Sequence, residues 1–374
     1  VDLELTSDQE LVRETTERFI ADSFPLSRVR QFADTGAGPD ADYAARAAEL
    51  GWFAFLAPED HGGGNISGAG VLDAVILAEA RGRYLQPGAF IDTNVTISAL
   101  AADGSTEQQR KVLPALVAGE VTSAWALADP TGDWSGSSGV ECATGGGGYR
   151  LSGAKGFVVE PERSGWLLVT ARAPEGLAQF LVAADTPGVS LEQLERLDLT
   201  RRICEVHFDD VVVNREAVVG TPGKSDATLE WQLQLACVLS VAESVGAMDH
   251  LFAMTLEYCK DRIAFGRPIG SFQAVKHQLA DTSLLLEMSA AVATSAARAV
   301  QEQQARAGEQ ASMAKAFVAD AGIELAHNCW QNFGGIAYTW EHDFHLYLRR
   351  LTTDAALYGS AAWHRERVCR LEGL

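Results

Sequence analysis

The chain has 374 residues, more than one ordinary core holds, and its composition of 47% apolar, 21% charged and 8% aromatic residues is that of folded domains. Fifty acidic against thirty basic residues give a formal charge of -20, which repels phosphate backbones and anionic lipid heads and argues against nucleic-acid or membrane partners. No run approaches about 18 consecutive apolar residues, the opening VDLELTSDQE is acidic where a signal peptide would be basic, and six scattered cysteines without CxxC pairing read as reduced thiols; a cytoplasmic protein is expected.

In chain order, Ser7-Asp8-Gln9-Glu10 has the form of a capping box, and Leu11, Val12, Phe19 and Ile20 then recur two turns apart, predicting a first helix. Helical runs follow around 40–50, 69–84, 91–102 and 106–118, punctuated by His61-Gly62-Gly63-Gly64-Asn65 and Gln86-Pro87-Gly88. From about 120 the texture becomes strand-like: TSAWALAD, YRLSGAKGFVV, GWLLVTAR, LAQFLVAA and CEVHFDDVVV, with Gly145–Gly148 a flexible turn. After Gly223, residues 227–261, 272–306 and 310–333 are long amphipathic helices, and a shorter helix follows Trp340. The expectation is an α+β chain: an N-terminal all-α domain (1–118), a small middle β domain (119–222), antiparallel because no helical pattern lies between its strands, and a C-terminal four-helix bundle (223–374).

Dinucleotide, P-loop, zincin and nucleophile-elbow motifs are absent, and His342 with His345, three apart, lack a third ligand nearby, so no metal site is expected. The informative segment is Asp261–Gln273 between two long helices. Gly266, Pro268 and Ser271 fit a helix-ending turn, with Ser271 capping the next helix. Arg262, Phe265 and Gln273 are left over, and a guanidinium, an aromatic and an amide together suit an anionic, planar ligand such as a pyrophosphate joined to adenine.

That segment, RIAFGRPIGSFQAVKHQLAD, resembles the second signature of the acyl-CoA dehydrogenases, and Gln331-Asn332-Phe333-Gly334-Gly335-Ile336-Ala337-Tyr338-Thr339-Trp340-Glu341 resembles their Q-x-x-G-G-x-G-[FY]-x-x-E segment, with Ala337 for the third glycine. Ala57–Gly63 is similar to the family's P-E-x-x-G-G, Arg202–Gly220 to the strand leaving its β domain, and the α–β–α order is the family's order, so the resemblance covers the whole chain. It implies FAD between the β domain and the bundle, with Leu127, Ala128, Phe157, Val159 and Ser360 along the chain's own flavin and Arg262, Phe265, Gln273, Gln331, Gly334 and Gly335 reaching a neighbouring subunit's. It also implies an acyl thioester substrate, carried by CoA or a carrier protein, that loses an α-proton to a glutamate and a β-hydride to the flavin. An electron-transfer flavoprotein or similar acceptor and a homo- or hetero-oligomer complete the picture.

The family's base is missing. Counting from Gly334-Gly335 puts Tyr358 where most members carry the glutamate, and the alternative position on the first bundle helix is Ala236. Glu230, Glu243 and Asp354 are the nearest acids; Glu243 shares a face with Ala236 but lies two turns, about 10.5 Å, away. Tyr358 and Glu243 are therefore the catalytic candidates, although an ordinary phenol is a poor base at neutral pH. The flavin cradle is altered too: T-E-P-x-A-G-S-D becomes Ala128-Asp129-Pro130-Thr131-Gly132-Asp133-Trp134-Ser135, and K-x-W-I-T becomes Lys155-Gly156-Phe157-Val158-Val159. The losses fall on the chain's own site and spare the residues that reach a neighbour. Two functions are consistent with this. One is an FAD-dependent dehydrogenase with a displaced base. The other is a non-catalytic partner that completes a sister subunit's flavin site, as in the α2β2 steroid-degrading members of actinobacteria. A flavin-free scaffold is a third.

Overall fold

The computed structural model describes residues 5–145 and 147–374. Seven helices come first: α1 (Ser7–Ser23), α2 (Leu26–Thr35), α3 (Tyr43–Ala48), α4 (Gly70–Arg83), α5 (Phe90–Asp103), α6 (Thr106–Lys111) and α7 (Leu113–Val117). Thr6 caps α1: its Oγ1 accepts the Gln9 N–H at 3.2 Å, and the Thr6 N–H donates to Gln9 Oε1 at 3.2 Å. The box thus begins one residue before the expected Ser7, because Thr6 is the residue with extended backbone and Ser7 is already helical. Val12 and Ile20 then face the core while Leu11 stays exposed.

Strands follow: β1 (Ser123–Ala126), β2 (Val140–Gly145), β3 (Gly148–Val159), β4 (Trp166–Ala173), β5 (Gly176–Ala183), β6 (Val189–Gln193), β7 (Ile203–Val213) and β8 (Val218–Val219), in the order β6-β7-β3-β2-β4-β5-β8 with β1 beside β4. The sheet is mixed and not purely antiparallel: β1 runs parallel to β4, and β2 meets β4 in parallel at Glu141 and Arg172. A parallel pair needs a long crossover, and here the β2–β3 hairpin supplies it in place of a helix. Gly145 and Gly148 close that hairpin as a register pair; of the expected flexible turn, residue 146 lies outside the described residues. Val140, Leu151, Leu167, Val169, Phe180, Val206 and Val211 form a core that belongs to the sheet alone.

The last segment holds α8 (Asp226–Asp261), the short strands β9 (Ile263–Ala264) and β10 (Arg267–Pro268), then α9 (Gln273–Gln301), α10 (Ala307–Phe333), α11 (Phe344–Asp354) and α12 (Ala361–Leu371). α8 contains an 18-residue window of hydropathy 1.4, apolar enough to cross a bilayer, but 89% of that window is buried inside the protein. It is the central helix, apolar all round because α4, α5, α9, α10 and α11 cover it.

The α4–α8 contact rests on two glycines. A Cβ on Gly82 would lie 1.8 Å from the Glu243 carbonyl oxygen, and one on Gly246 would lie 1.9 Å from that of Glu79. Backbone meets backbone, so no side chain can move aside. Gly82→Ala should therefore force the helices apart and lower stability by about 1–3 kcal/mol, read as a drop in the urea midpoint. An unchanged midpoint would mean that the two helices separate freely.

Candidate functional site

Tyr358 follows α11, in left-handed backbone (φ 59) before Gly359 (φ 108), and its ring turns inward. Only 4% of the residue is exposed. Its hydroxyl donates to Asp92 Oδ1 at 2.7 Å, and Asp92 Oδ2 also accepts the Trp125 N–H at 3.1 Å. Trp125 stacks on the Tyr358 ring at 6.3 Å, and Trp134 packs across it at 5.3 Å. Burial, with the Asp92 carboxylate beside it, holds the phenol well above its usual range. Burial likewise pushes Asp92 up to about 6, against the Trp125 N–H and the Tyr358 hydroxyl, which favour its ionised form. A phenol that already donates to a carboxylate is in the wrong state to accept a proton.

Glu243, the second catalytic candidate, sits on α8 between two guanidiniums. Arg81 Nε of α4 approaches Glu243 Oε1 at 3.3 Å, and Arg201, from the loop before β7, pairs with Glu243 Oε2 and with Asp354 of α11. All four side chains are at most 5% exposed. Burial raises Asp354, partly offset by Arg201. Burial pulls Arg201 down, but Asp354 and Glu243 together more than reverse it. Beside this group Arg350 Nε donates to Asp198 Oδ2 at 2.7 Å and its Nη2 to Thr200 Oγ1 at 2.5 Å, while Lys315 Nζ donates to the Asp354 carbonyl at 2.6 Å. Glu230, the remaining acid, is bound by Arg367, and Ala236 is fully buried. Each of these carboxylates is paired with a cation, although Asp354 Oδ2 is buried without a hydrogen-bond partner.

The residues expected along the chain's own cofactor are also occupied. Leu127 O accepts Lys155 Nζ at 2.9 Å, and Ala128 O accepts the Gly156 N–H at 3.0 Å. Leu127, Ala128 and Val159 are buried in the main core, and the Val159 backbone favours the ionised form of Asp92. Phe157, in left-handed backbone (φ 56), packs against the same core. Ser360 Oγ accepts the Trp363 N–H at 3.2 Å and so caps α12. A cleft of about 240 Å³ opens between sheet and bundle beside Leu127, Trp134, Leu229 and Trp363, but next to Tyr358 the rings of Trp125 and Trp134 pack directly on the phenol and leave no room for an isoalloxazine between them.

The outward set is arranged differently. β9 and β10 pair as a two-residue hairpin with Phe265 (φ 55) and Gly266 (φ 79) at its tip. This corrects the helix-ending turn read from the sequence: positive φ at both central residues is the hairpin geometry, and Ser271 Oγ donates back to the Pro268 carbonyl at 2.6 Å without capping α9. Phe265 is 95% exposed, and positive φ in an aromatic residue is a strained choice. Its ring packs edge-on against Phe272 at 6.1 Å, over which the Arg267 guanidinium lies at 4.0 Å. Arg262, Gln273, Gln331 and Gly335 are exposed as well, and Gly334 is half-buried at φ 60. The stack of Tyr258 on Phe333 at 4.5 Å brings the ends of α8 and α10, and so both motifs, to one end of the bundle. Among the described residues no group of three His, Cys, Asp or Glu side chains is placed to hold a metal.

Sequence reasoning missed Asp92, Trp125 and the Arg81–Arg201–Arg350 set. The available signal was charge within apolar helical runs, as in FIDTNVTI and VILAEARGRY, since such groups are buried only when paired.

Residues 6–120 match the acyl-CoA dehydrogenase N-terminal domain, and residues 227–371 match the acyl-CoA dehydrogenase C-terminal domain. The chain is 30% identical over 339 residues to the mitochondrial isobutyryl-CoA dehydrogenase of Dictyostelium discoideum, covering 88% of this chain and 81% of that one. The chain belongs to the acyl-CoA dehydrogenase family. It is also 29% identical to acyl-CoA dehydrogenase IpdE2 of Mycobacterium tuberculosis, covering 98% and 96% of the two chains. Among solved structures it superposes on a chain of the ChsE4-ChsE5 complex from Mycobacterium tuberculosis with a TM-score of 0.90 at 27% identity, covering 100% and 99%.

Two measurements check this geometry. Arg201→Met leaves Glu243 and Asp354 buried without their shared cation and should cost about 3–5 kcal/mol in denaturant unfolding; a loss below 1 kcal/mol, on the order of a surface pair, would refute the network. For Asp92 the native carboxyl, at about 6, keeps a proton through a window in which the unfolded chain, near 3.8, has released it. Its contribution therefore falls as pH rises from about 4 to 6, by about 3 kcal/mol. Asp92→Asn should remove that slope and gain on wild type between pH 4 and pH 7, whereas equal pH profiles would contradict it.

Proposed function

We propose that this chain is a partner subunit of a heteromeric FAD-dependent acyl-CoA dehydrogenase: it completes a sister subunit's flavin site and does not desaturate an acyl thioester in its own cleft. The observation that carries this reading is the burial of Tyr358, at the position from which family members draw their base, in a hydrogen bond to Asp92 under Trp125 and Trp134. Glu243, the other candidate, is neutralised by Arg81 and Arg201. Against this closed interior stands the open end of the bundle. There Arg262, Gln273 and Gln331 lie exposed, and a strained hairpin holds Phe265 in solvent.

FAD fits these two surfaces unequally. Inside, the hydroxyls that the family offers are replaced by Ala128, Trp134 and Val159, and the backbone acceptors of Leu127 and Ala128 are already bonded. No step is assigned to flavin there. Outside, a guanidinium, an amide donor and an aromatic face suit a pyrophosphate and an adenine held mostly by another chain. The sister would supply the catalytic glutamate and the flavin's other contacts, and an electron-transfer flavoprotein or similar acceptor would reoxidise it. The likeness to a chain of the ChsE4-ChsE5 complex, whose name gives two proteins, supports the heteromeric reading.

Purified alone, the chain should lack a stoichiometric flavin band, and acyl-CoAs should bleach none under anaerobic conditions. With a glutamate-bearing sister subunit, flavin and bleaching should appear. Arg262→Ala should then weaken FAD retention by about 10- to 100-fold, the loss of one charge-assisted contact. Rapid bleaching by the isolated wild-type chain would overturn the partner role and return the chain to the self-sufficient enzymes.

A further inference from the structure

The loop from Gly334 to Asp343 joins α10 to α11 at the open end of the bundle, just after Gln331. Its two glycines face open space: a Cβ on Gly334 or on Gly335 would meet no atom within 4 Å. Ordering such a pair costs more chain entropy than ordering any other residues, and no packing at the glycines themselves offsets it. Ala337, buried in the main core, and the Tyr338 ring, edge-on to Trp330 of α10 at 4.6 Å, anchor this half of the loop from below.

The other half is held from a distant part of the chain. Helix α2 presents Arg30 and Asp34, one turn apart on one face. Arg30 Nη1 donates to the Trp340 carbonyl at 2.6 Å, across 310 positions, and Arg30 Nε donates to Asp343 Oδ1 at 2.6 Å. Trp340 Nε1 donates back to Asp34 Oδ1 at 2.9 Å. The Trp340 carbonyl also lies 3.2 Å from His345 Nε2, and the His345 ring stacks on the indole at 4.7 Å. α2 is itself firmly seated: Val29, Phe32 and Ala33 are in the main core, and the Gly36 carbonyl at its end accepts Arg202 Nη2 at 2.7 Å. A fork that binds a carbonyl and a carboxylate together fixes direction as well as distance, which a single contact would not.

We propose that Arg30, with Asp34, is a positioning residue for flavin binding: from the N-terminal helical segment it clamps the far end of this loop and so holds Gly334 and Gly335 in place beside Gln331. A glycine pair without packing of its own takes its conformation from the two ends of its loop. Here α10 sets one end and Arg30 the other. Arg30 acts through the loop and is not assigned a contact with the cofactor. The assignment rests on the partner-subunit reading, in which this end of the bundle serves a sister's FAD, and it names the residue that keeps the surface preformed before the sister arrives. A preformed surface binds more tightly because less ordering remains to be done on association.

The test begins with the full chain and amide hydrogen exchange read by mass spectrometry. Arg30→Met should speed exchange across residues 336–344 by about tenfold, while amides in α8 and α10 keep their wild-type rates. Asp34→Ala, which removes only the acceptor of the Trp340 indole, should act in the same direction and carries the test if the first variant fails to fold. Unchanged loop exchange in a folded variant overturns the clamp. So does exchange that quickens equally throughout the bundle, which would make Arg30 a general stabiliser. The flavin readout uses the protein assembled with its glutamate-bearing sister: Arg30→Met should weaken FAD retention by about tenfold, and Arg30→Lys, which keeps the cation but loses the fork, should recover part of it. Retention by Arg30→Met equal to wild type overturns the positioning role. The two readings fail separately: an isolated wild-type chain that holds FAD and bleaches ends the partner role, whereas unaltered loop exchange ends only the assignment to Arg30.

Discussion

Arg201 lies where the three segments of the chain meet, and its guanidinium pairs with two carboxylates that neither of the other segments could bury alone. Glu243 comes from the central helix α8 and Asp354 from the end of α11, while Arg201 belongs to the β segment and Arg81, the second partner of Glu243, to α4. Burying any one of these ions singly would be prohibitive, since the effective penalty is several kcal/mol per charge. Together they nearly cancel, and Arg350 with Asp198 repeats the arrangement nearby, its Nη2 also facing Leu85 O at 3.3 Å. The segments can dock only in the register that satisfies all of these pairs. A hydrophobic interface would tolerate sliding; this one does not.

That constraint decides what the interior can do. An acid that removes a proton from carbon must be ionised, reachable and not already paired, and the acids around Tyr358 fail one condition or another. Glu243 and Asp354 are paired, and Asp92 accepts hydrogen bonds from the Tyr358 hydroxyl and the Trp125 N–H. On the partner reading, the charge network that fixes the domain arrangement takes the place of a free base beside Tyr358. Two close helix contacts at Gly82 and Gly246 leave no slack through which it could open.

The residues at the open end of the bundle face outward. Phe265 is held in left-handed backbone with almost no protein around it, an arrangement that gains nothing for the isolated chain. Tyr338 and Ile263 are exposed on the same segments. Strain and exposed aromatic surface become reasonable when another chain and its ligand cover them. The two halves of the partner reading, a closed interior and an open end, therefore share one physical logic.

The sequence by itself determined the order of helical and strand segments, because periodicity and turn residues are local, and it determined the family, because RIAFGRPIGSFQ and QNFGGIAY are contiguous. It also located the substitutions at Ala128, Trp134, Val159 and Tyr358. Only the tertiary structure decided what those substitutions do. That Tyr358 bonds to Asp92, 266 positions away, and that Arg201 joins Glu243 to Asp354 across 42 and 153 positions, are facts of long-range docking with no local sequence signal. The parallel pairing of β1 with β4 and the hairpin at Phe265-Gly266 escaped for related reasons. Strand direction depends on which neighbour completes the hydrogen bonds, and a phenylalanine in left-handed backbone defies the residue preference from which a turn is read.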